Sequence, residues 1–288
     1  VAQTKHEIQS LLSGAGTQPR HRFGQNFMID QNLVRVIADA ARIAGGDVVI
    51  EVGPGTGTLT DELLARGAEV IAVEIDRDLA KLLRERFAEK ECFKLIEGDA
   101  LSSKHAINPD LISQLAAVRS TAGSNKSIKL VANLPYNIAS PLIIELLILG
   151  VDSLIFTVQK EVAERLRAAA GAEAYGPLSV VAQLLARVEL LRTLPPQAFW
   201  PAPKVESALV RMTRQDQLGA DAASMGRFVH QIFSFRRKTL RRALTQAGYD
   251  AEALLTATGA DPQARPEVLT PAQMRALFLA ATKPSPPQ

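Results

Sequence analysis

Residues 48–57 read Val48-Val49-Ile50-Glu51-Val52-Gly53-Pro54-Gly55-Thr56-Gly57, an apolar run that passes through three glycines into a helical pattern over residues 58–66. Glycines at such a junction let the chain turn sharply and let backbone approach a ligand at the helix N-terminus. Strand and helix patterns then alternate. Residues 70–75, 92–97, 129–133 and 154–159 read as strands, and helices are expected over 78–90, 140–149, 161–169 and 177–186. This order implies an α/β fold with a doubly wound, mostly parallel sheet. Two later runs, 188–193 and 208–212, suit an antiparallel pair at one edge.

Upstream, Asp30 is placed to cap a helix carrying Leu33, Val34, Ile37, Ala38 and Ala41 on one face. Residues 1–20, with Gly14, Gly16 and Pro19 and little periodicity, are expected to form a loosely held segment. Residues 102–127 read as an insertion with a short helix near 109–118 and a flexible polar part around Ser120, Thr121, Gly123, Ser124 and Asn125. After Thr213 the pattern is helical only, over about 222–246, 251–258 and 271–281. The chain thus divides into a sheet-bearing domain, 21–214, and a smaller all-α C-terminal domain, 215–288.

Composition narrows the class. With 288 residues and 47% hydrophobic content, the chain can bury one large core and a smaller one. Its single cysteine, Cys92, excludes an internal disulfide and fits a reducing compartment; lying in an expected strand, it reads as a small buried residue. The longest apolar stretch, 138–151, contains Pro141 and Glu145 and is too short to cross a bilayer. No charged-then-apolar signal pattern opens the chain, so a cytoplasmic protein is expected. Residues 200–288 carry 12 Lys and Arg against 7 Asp and Glu, whereas the rest of the chain is slightly acidic. A basic C-terminal part suits a polyanionic partner.

At the strand ends sit residues suited to an adenosine. Glu74 ends the second strand, where a carboxylate can accept from two ribose hydroxyls, and Asp99 ends the third, placed to accept from an adenine amino group. A solvated Glu74 and a capping Asp99 are the plainer alternatives. S-adenosylmethionine and NAD both contain adenosine, so these residues do not separate them. The turn is Gly-Pro-Gly-Thr-Gly rather than Gly-x-Gly-x-x-Gly, and Pro54 removes an N–H that a pyrophosphate cradle would use. That detail favours the sulfonium donor.

The weightier argument is Asn133-Leu134-Pro135-Tyr136, at the end of the fourth strand and on the same edge as Gly53, Glu74 and Asp99. An aromatic amino group is a poor nucleophile because its lone pair is delocalised into the ring. The Asn133 side-chain oxygen and the Leu134 carbonyl can accept its protons, Pro135 stiffens the backbone, and Tyr136 can stack on the ring. The reading is an amino-methyltransferase acting on a nucleobase that is single-stranded, looped or flipped. Phe199, beside Trp200 in a proline-stiffened loop, is the candidate for the second stacking face, with packing against the edge strands as the equal alternative.

On a helical wheel of residues 227–246, Phe228, Ile232, Phe235, Leu240, Ala243 and Leu244 share one arc. Arg237, Lys238, Arg241 and Arg242 share the opposite one, a face suited to a phosphate backbone. His6, His21, His105 and His230 lack metal-ligand spacing, and no metal is expected.

From about residue 20 to 280 the chain resembles the ribosomal RNA adenine N6-dimethyltransferases, in particular the bacterial small-subunit (16S) rRNA dimethyladenosine transferases. The residues that carry the likeness are Arg22-Phe23-Gly24-Gln25-Asn26-Phe27, the glycine turn, residues 97–101, the Asn133 stretch, and residues 159–166, 199–210 and 235–240. The resemblance implies a Rossmann-like class I methyltransferase fold and a monomer. It also implies transfer of two methyl groups from S-adenosylmethionine to N6 of each of two adjacent adenosines in a 3′-terminal hairpin, during assembly of the 30S subunit. It further implies Asn26, Met28, Gly53, Glu74, Asp99 and Asn133 as donor contacts, Met28 through its backbone. Met28 stands where the family usually has Leu, and the 102–127 segment is longer than the family pattern. The rival readings are the related large-subunit enzyme and a noncatalytic RNA-binding assembly factor. NAD-dependent oxidoreduction is more distant.

Overall fold

The computed structural model describes residues 3–103, 106–120 and 126–282. They fall into two compact units, Val1–Ala163 with Glu189–Arg214, and Glu164–Val188 with Gln215–Gln288.

The first unit holds, in chain order, α1 (Lys5–Gly14), β1 (Phe27–Met28), α2 (Gln31–Ala40), β2 (Val48–Val52), α3 (Thr58–Ala65), β3 (Glu69–Glu74), α4 (Arg77–Arg86) and β4 (Phe93–Glu97). It continues with β5 (Leu101–Ser103), β6 (Ala106–Ile107), α5 (Pro109–Ser120), β7 (Ile128–Asn133), α6 (Ala139–Ile148) and β8 (Ser153–Gln159). Most of β9 (Ala186–Leu194) and all of β10 (Phe199–Trp200) and β11 (Ser207–Arg214) complete it. Seven strands form one sheet in the order β4-β3-β2-β7-β8-β11-β9. The first five are parallel, and β11 runs antiparallel to β8, so the two runs expected at one edge are neighbours there, β11 beside β9.

Every residue of β2 is buried, as expected of a central parallel strand covered on both faces. On one face α2 and α3 pack their apolar stripes, Leu33, Val34, Ile37, Leu59 and Leu63, onto Val49, Val131 and Ile155. Asp30 starts α2 as read from the sequence, its Oδ1 accepting from the N–H groups of Asn32 and Leu33 at 2.9 and 3.1 Å.

Two expectations in this unit are corrected. The N-terminal segment is not loose: Thr4 and Glu7 form a reciprocal capping box on α1, and Ile8 and Leu12, one turn apart, pack with Phe27 and Leu79. Cys92 is exposed, because β4 begins one residue later. The expected helix near 109–118 is α5; residues 121–125, the polar part of the insertion, lie outside the described residues.

The second unit contains the end of α7 (Lys160–Arg167), then α8 (Pro177–Leu185), α9 (Ala222–Phe233), α10 (Leu240–Gln246), α11 (Ala251–Thr258) and α12 (Pro271–Thr282). Sequence reading placed residues 164–188 with the sheet; here they pack with the C-terminal helices. The reason is α8, which buries Val180, Val181, Ala182, Leu184 and Leu185 and lies against α9 and α12. Gln183 Nε2 ties it to the carbonyls of Leu166 and Ala168, at 3.1 and 2.8 Å. Phe228 meets Tyr249 and Phe278 edge-on.

The continuous helix expected over 222–246 is two helices. The chain turns after Phe233, and the opening N–H groups of α10 find carbonyls outside their own helix: Leu240 N donates to Ala264 O at 2.7 Å and Arg241 N to Pro262 O at 3.3 Å. Arg237 and Lys238 therefore lie in a turn rather than on a helix face. Arg241 and Arg242 lie on α10, all four cations are exposed, and Arg241 pairs with Glu252 at 3.1 Å.

A buried lysine secures the start of β7. Lys129 Nζ donates to Asp47 Oδ2 at 2.6 Å and to the carbonyls of Ala41 and Arg42 at 3.1 and 2.8 Å, so all three ammonium protons are used. Burial pushes the Asp47 carboxyl up, but Lys129 and the Ala44 N–H outweigh it and hold the group below its ordinary range. Lys129→Met leaves Asp47 buried and unpaired and is expected to lower unfolding stability by about 3 kcal/mol. A denaturant titration reads this as an earlier midpoint; an unchanged midpoint would show that Asp47 needs no ammonium.

Candidate active site

The carboxyl ends of β2, β3 and β7 surround one cavity, lined by the glycine turn, Glu51, Glu74, Ile75, Gly98, Asp99, residues 22–28, Asn133 and Pro135. Close approaches shape the turn. A Cβ on Gly55 (φ +63°) would sit 3.0 Å from the Phe27 ring, and one on Gly57 (φ +83°) 2.7 Å from the Phe87 ring. Gln3 braces the turn from outside. Its Nε2 donates to Thr56 O at 3.1 Å, and its Oε1 accepts from the hydroxyls of Thr56 and Thr58 at 2.6 and 2.9 Å. Arg86 also donates to Thr56 O and pairs with Asp61.

Two carboxyl groups are buried at the cavity. Glu51, 1% exposed, accepts from Thr60 Oγ1 at 2.7 Å; burial, with Asp61 and Glu74 nearby, pushes its pKa up to about 8. Glu74, 3% exposed, is pushed up to about 7 by burial, although it accepts from the N–H groups of Gly55 at 3.2 Å and Asp76 at 2.9 Å. These bonds aim the Glu74 carboxyl at the turn. Asp99, just past the neighbouring strand β4, also lines the cavity, with Oδ1 accepting from Leu101 N at 3.0 Å. Ile75, 41% exposed, adds an apolar surface to the lining. Carboxyl acceptors together with an apolar surface suit a ribose and an aminated ring.

Residues 22–28 form a further part of the wall, held through Asp76. Asp76 accepts from Arg20 Nη1 at 2.8 Å and from Gln25 Nε2 at 2.9 Å, and Gln25 Oε1 accepts from Arg20 N at 2.7 Å. This network presents Asn26 and Met28 to the cavity; Met28 lies on β1, paired with Phe199 on β10.

The Asn133 stretch follows β7. Asn133 Nδ2 donates to Asn26 O at 2.7 Å, and Asn133 and Pro135 both line the cavity. Leu134 buries its side chain, so only its backbone could meet a ligand. Tyr136 stands beside the cavity, half-buried, with its hydroxyl 2.7 Å from Ser207 Oγ; burial raises its pKa. Phe199 is a correction. Its ring is 2% exposed and packs among Met28, Leu194 and Leu209, because the β1–β10 pair turns it into the core. It presents no stacking face in this conformation.

The structure thus brings Asn26, Met28, Gly53, Glu74, Asp99, Asn133 and Pro135 to one cavity. Sequence reading missed Gln3, Arg20, Ile75, Asp76 and Arg86. Of these only Asp76 carried a local signal, since its side chain caps α4.

The family model for ribosomal RNA adenine dimethylase matches residues 16–283. A ribosomal RNA small subunit methyltransferase A from Hahella chejuensis is 43% identical over 260 residues, covering 88% of this chain and 89% of its own. Among solved structures, the 23S rRNA methyltransferase ErmE is 25% identical with a TM-score of 0.61, covering 90% of this chain and 100% of its own. A dimethyladenosine transferase from Plasmodium falciparum, 24% identical, superposes with a TM-score of 0.67 over 88% of this chain and 96% of its own. The fold is that of the class I methyltransferases, and the chain belongs to the ribosomal RNA adenine dimethylase family.

Proposed function

We propose that this protein carries out S-adenosylmethionine-dependent N6-dimethylation of two adjacent adenosines in a 3′-terminal hairpin of small-subunit (16S) rRNA. The observation that carries the reading is the meeting of Asn133 and Pro135 with Glu74 and Asp99 in one cavity. The small-subunit target is favoured over the large-subunit one because the 43%-identical relative bears the small-subunit name, whereas ErmE, a 23S rRNA enzyme, is 25% identical.

S-adenosylmethionine, when bound, supplies an electrophilic methyl group on a sulfonium. The residues present fit it: Glu74 to accept from the ribose hydroxyls, Asp99 from the adenine amino group, Ile75 against the ring, and Gly53, Asn26 and the Met28 backbone along the rest. Asn133 Oδ1 and the Leu134 carbonyl accept the protons of the target amino group and favour its tetrahedral form as it attacks. Pro135 stiffens this backbone, and Tyr136, its hydroxyl tied to Ser207, offers a ring of fixed orientation. No strong base is required, because the proton leaves after transfer. Arg237, Lys238, Arg241 and Arg242 on the helical unit serve the RNA backbone as a cationic cluster rather than one helix face. We place the protein in the cytoplasm, acting as a monomer on the assembling 30S subunit, where binding during assembly can accompany catalysis. Among the described residues no helix is long and apolar enough to cross a membrane.

Asn133→Ala should cut methyl transfer to under-methylated small subunits at least about 100-fold while leaving the circular dichroism spectrum unchanged. Transfer near the wild-type rate would remove Asn133 from the reaction. Donor affinity should depend on pH through Glu74. The ionised carboxylate is the better acceptor for hydroxyls, so binding holds Glu74 ionised, and affinity should rise as pH passes upward through about 7. Calorimetry from pH 6 to 8 checks this; Glu74→Gln should weaken binding and remove that rise.

A further inference from the structure

Two groups hold the Asn133 carboxamide from opposite ends. Its Nδ2 donates to the Asn26 carbonyl at 2.7 Å, and the Thr157 hydroxyl donates to its Oδ1. The Asn26 carbonyl can only accept, so the nitrogen must face residues 22–28 and the oxygen must face β8. A reversed carboxamide would set two oxygens against each other. Thr157 is placed by strand register, opposite Asn133 in the parallel β7–β8 pair, and its own carbonyl accepts from Leu134 N at 3.2 Å. It is fully buried in the run Leu154-Ile155-Phe156-Thr157-Val158. An apolar side chain would suit that position without the cost of burying a hydroxyl, so the bond to Asn133 is what the hydroxyl provides.

We propose that Thr157 is a positioning residue for the methyl acceptor. Its hydroxyl fixes the rotation of the Asn133 carboxamide and leaves one Oδ1 lone pair for the target amino group. The assignment rests on the reading of Asn133 given above. Because Asn26 lies in the wall of the donor cavity, the same carboxamide joins the donor side of the site to the acceptor side.

The test compares full-length T157V and T157S with wild type, using labelled S-adenosylmethionine and under-methylated small subunits. Valine keeps the shape and loses the hydroxyl; serine keeps the hydroxyl and loses a buried methyl. The expected result is a fall in kcat of about tenfold or more for T157V, with donor KM within about twofold, and near-wild-type kcat for T157S. A packing role predicts the opposite order. T157V at least as active as T157S would overturn the assignment. Should T157V fail to fold, a folded T157S with kcat reduced about tenfold or more would equally overturn it. A wild-type protein that transferred no methyl group would remove the functional reading and this assignment with it. A working wild type beside an active T157V removes this assignment alone.

Discussion

β2 pairs in parallel with β3 on one side and with β7 on the other, and the site depends on that arrangement. The chain adds strands outward from β2 to β3 and β4, then returns to lay β7 and β8 on the opposite side. Connections leaving β2 and β7 therefore diverge, and a crevice opens at their carboxyl ends. The Val48–Ile128 and Ile50–Leu130 register brings the glycine turn after Val52 and the Asn133 stretch to the same edge. A slip of β7 would be costly because it would pull Lys129 from Asp47 and from the carbonyls of Ala41 and Arg42.

Within the crevice, polar groups are held before any ligand arrives. Glu74 is oriented by two backbone N–H groups, Asn133 by Asn26 and Thr157, and Tyr136 by Ser207. Each bond offsets the desolvation of a buried polar group, and each also restricts a side-chain torsion. The N-terminal helix extends this logic. Ile8 and Leu12 anchor it, Gln3 braces the glycine turn, and Arg20 and Gln25 hold the wall carrying Asn26 through Asp76.

The alternation of strand and helix, the edge pair β11 and β9, and the cavity residues Gly53, Glu74, Asp99 and Asn133 were legible because each is a local pattern at a strand end. What was not legible depended on long-range partners. The capping box of Thr4 and Glu7 was present in the sequence, but the value of α1 comes from Phe27 and Leu79, far along the chain. Phe199 read equally as a stacking ring or a packed one, and only its pairing with Met28 decides. The periodicity over 222–246 persists through the break because both helices bury apolar residues, while the carbonyls of Pro262 and Ala264 that cap α10 lie some twenty residues on. Thr157 was invisible for the same reason: one threonine in an apolar strand acquires meaning only opposite Asn133.

In the proposed function, donor pocket and acceptor clamp form one site acting on adjacent adenines of small-subunit rRNA. Mass spectrometry of nuclease fragments from under-methylated small subunits, after incubation with the protein and S-adenosylmethionine, tests it most directly. Dimethyladenosine is expected at two neighbouring positions of the 3′-terminal hairpin. Modification confined to large-subunit RNA, or a small-subunit hairpin left unmodified, would contradict it.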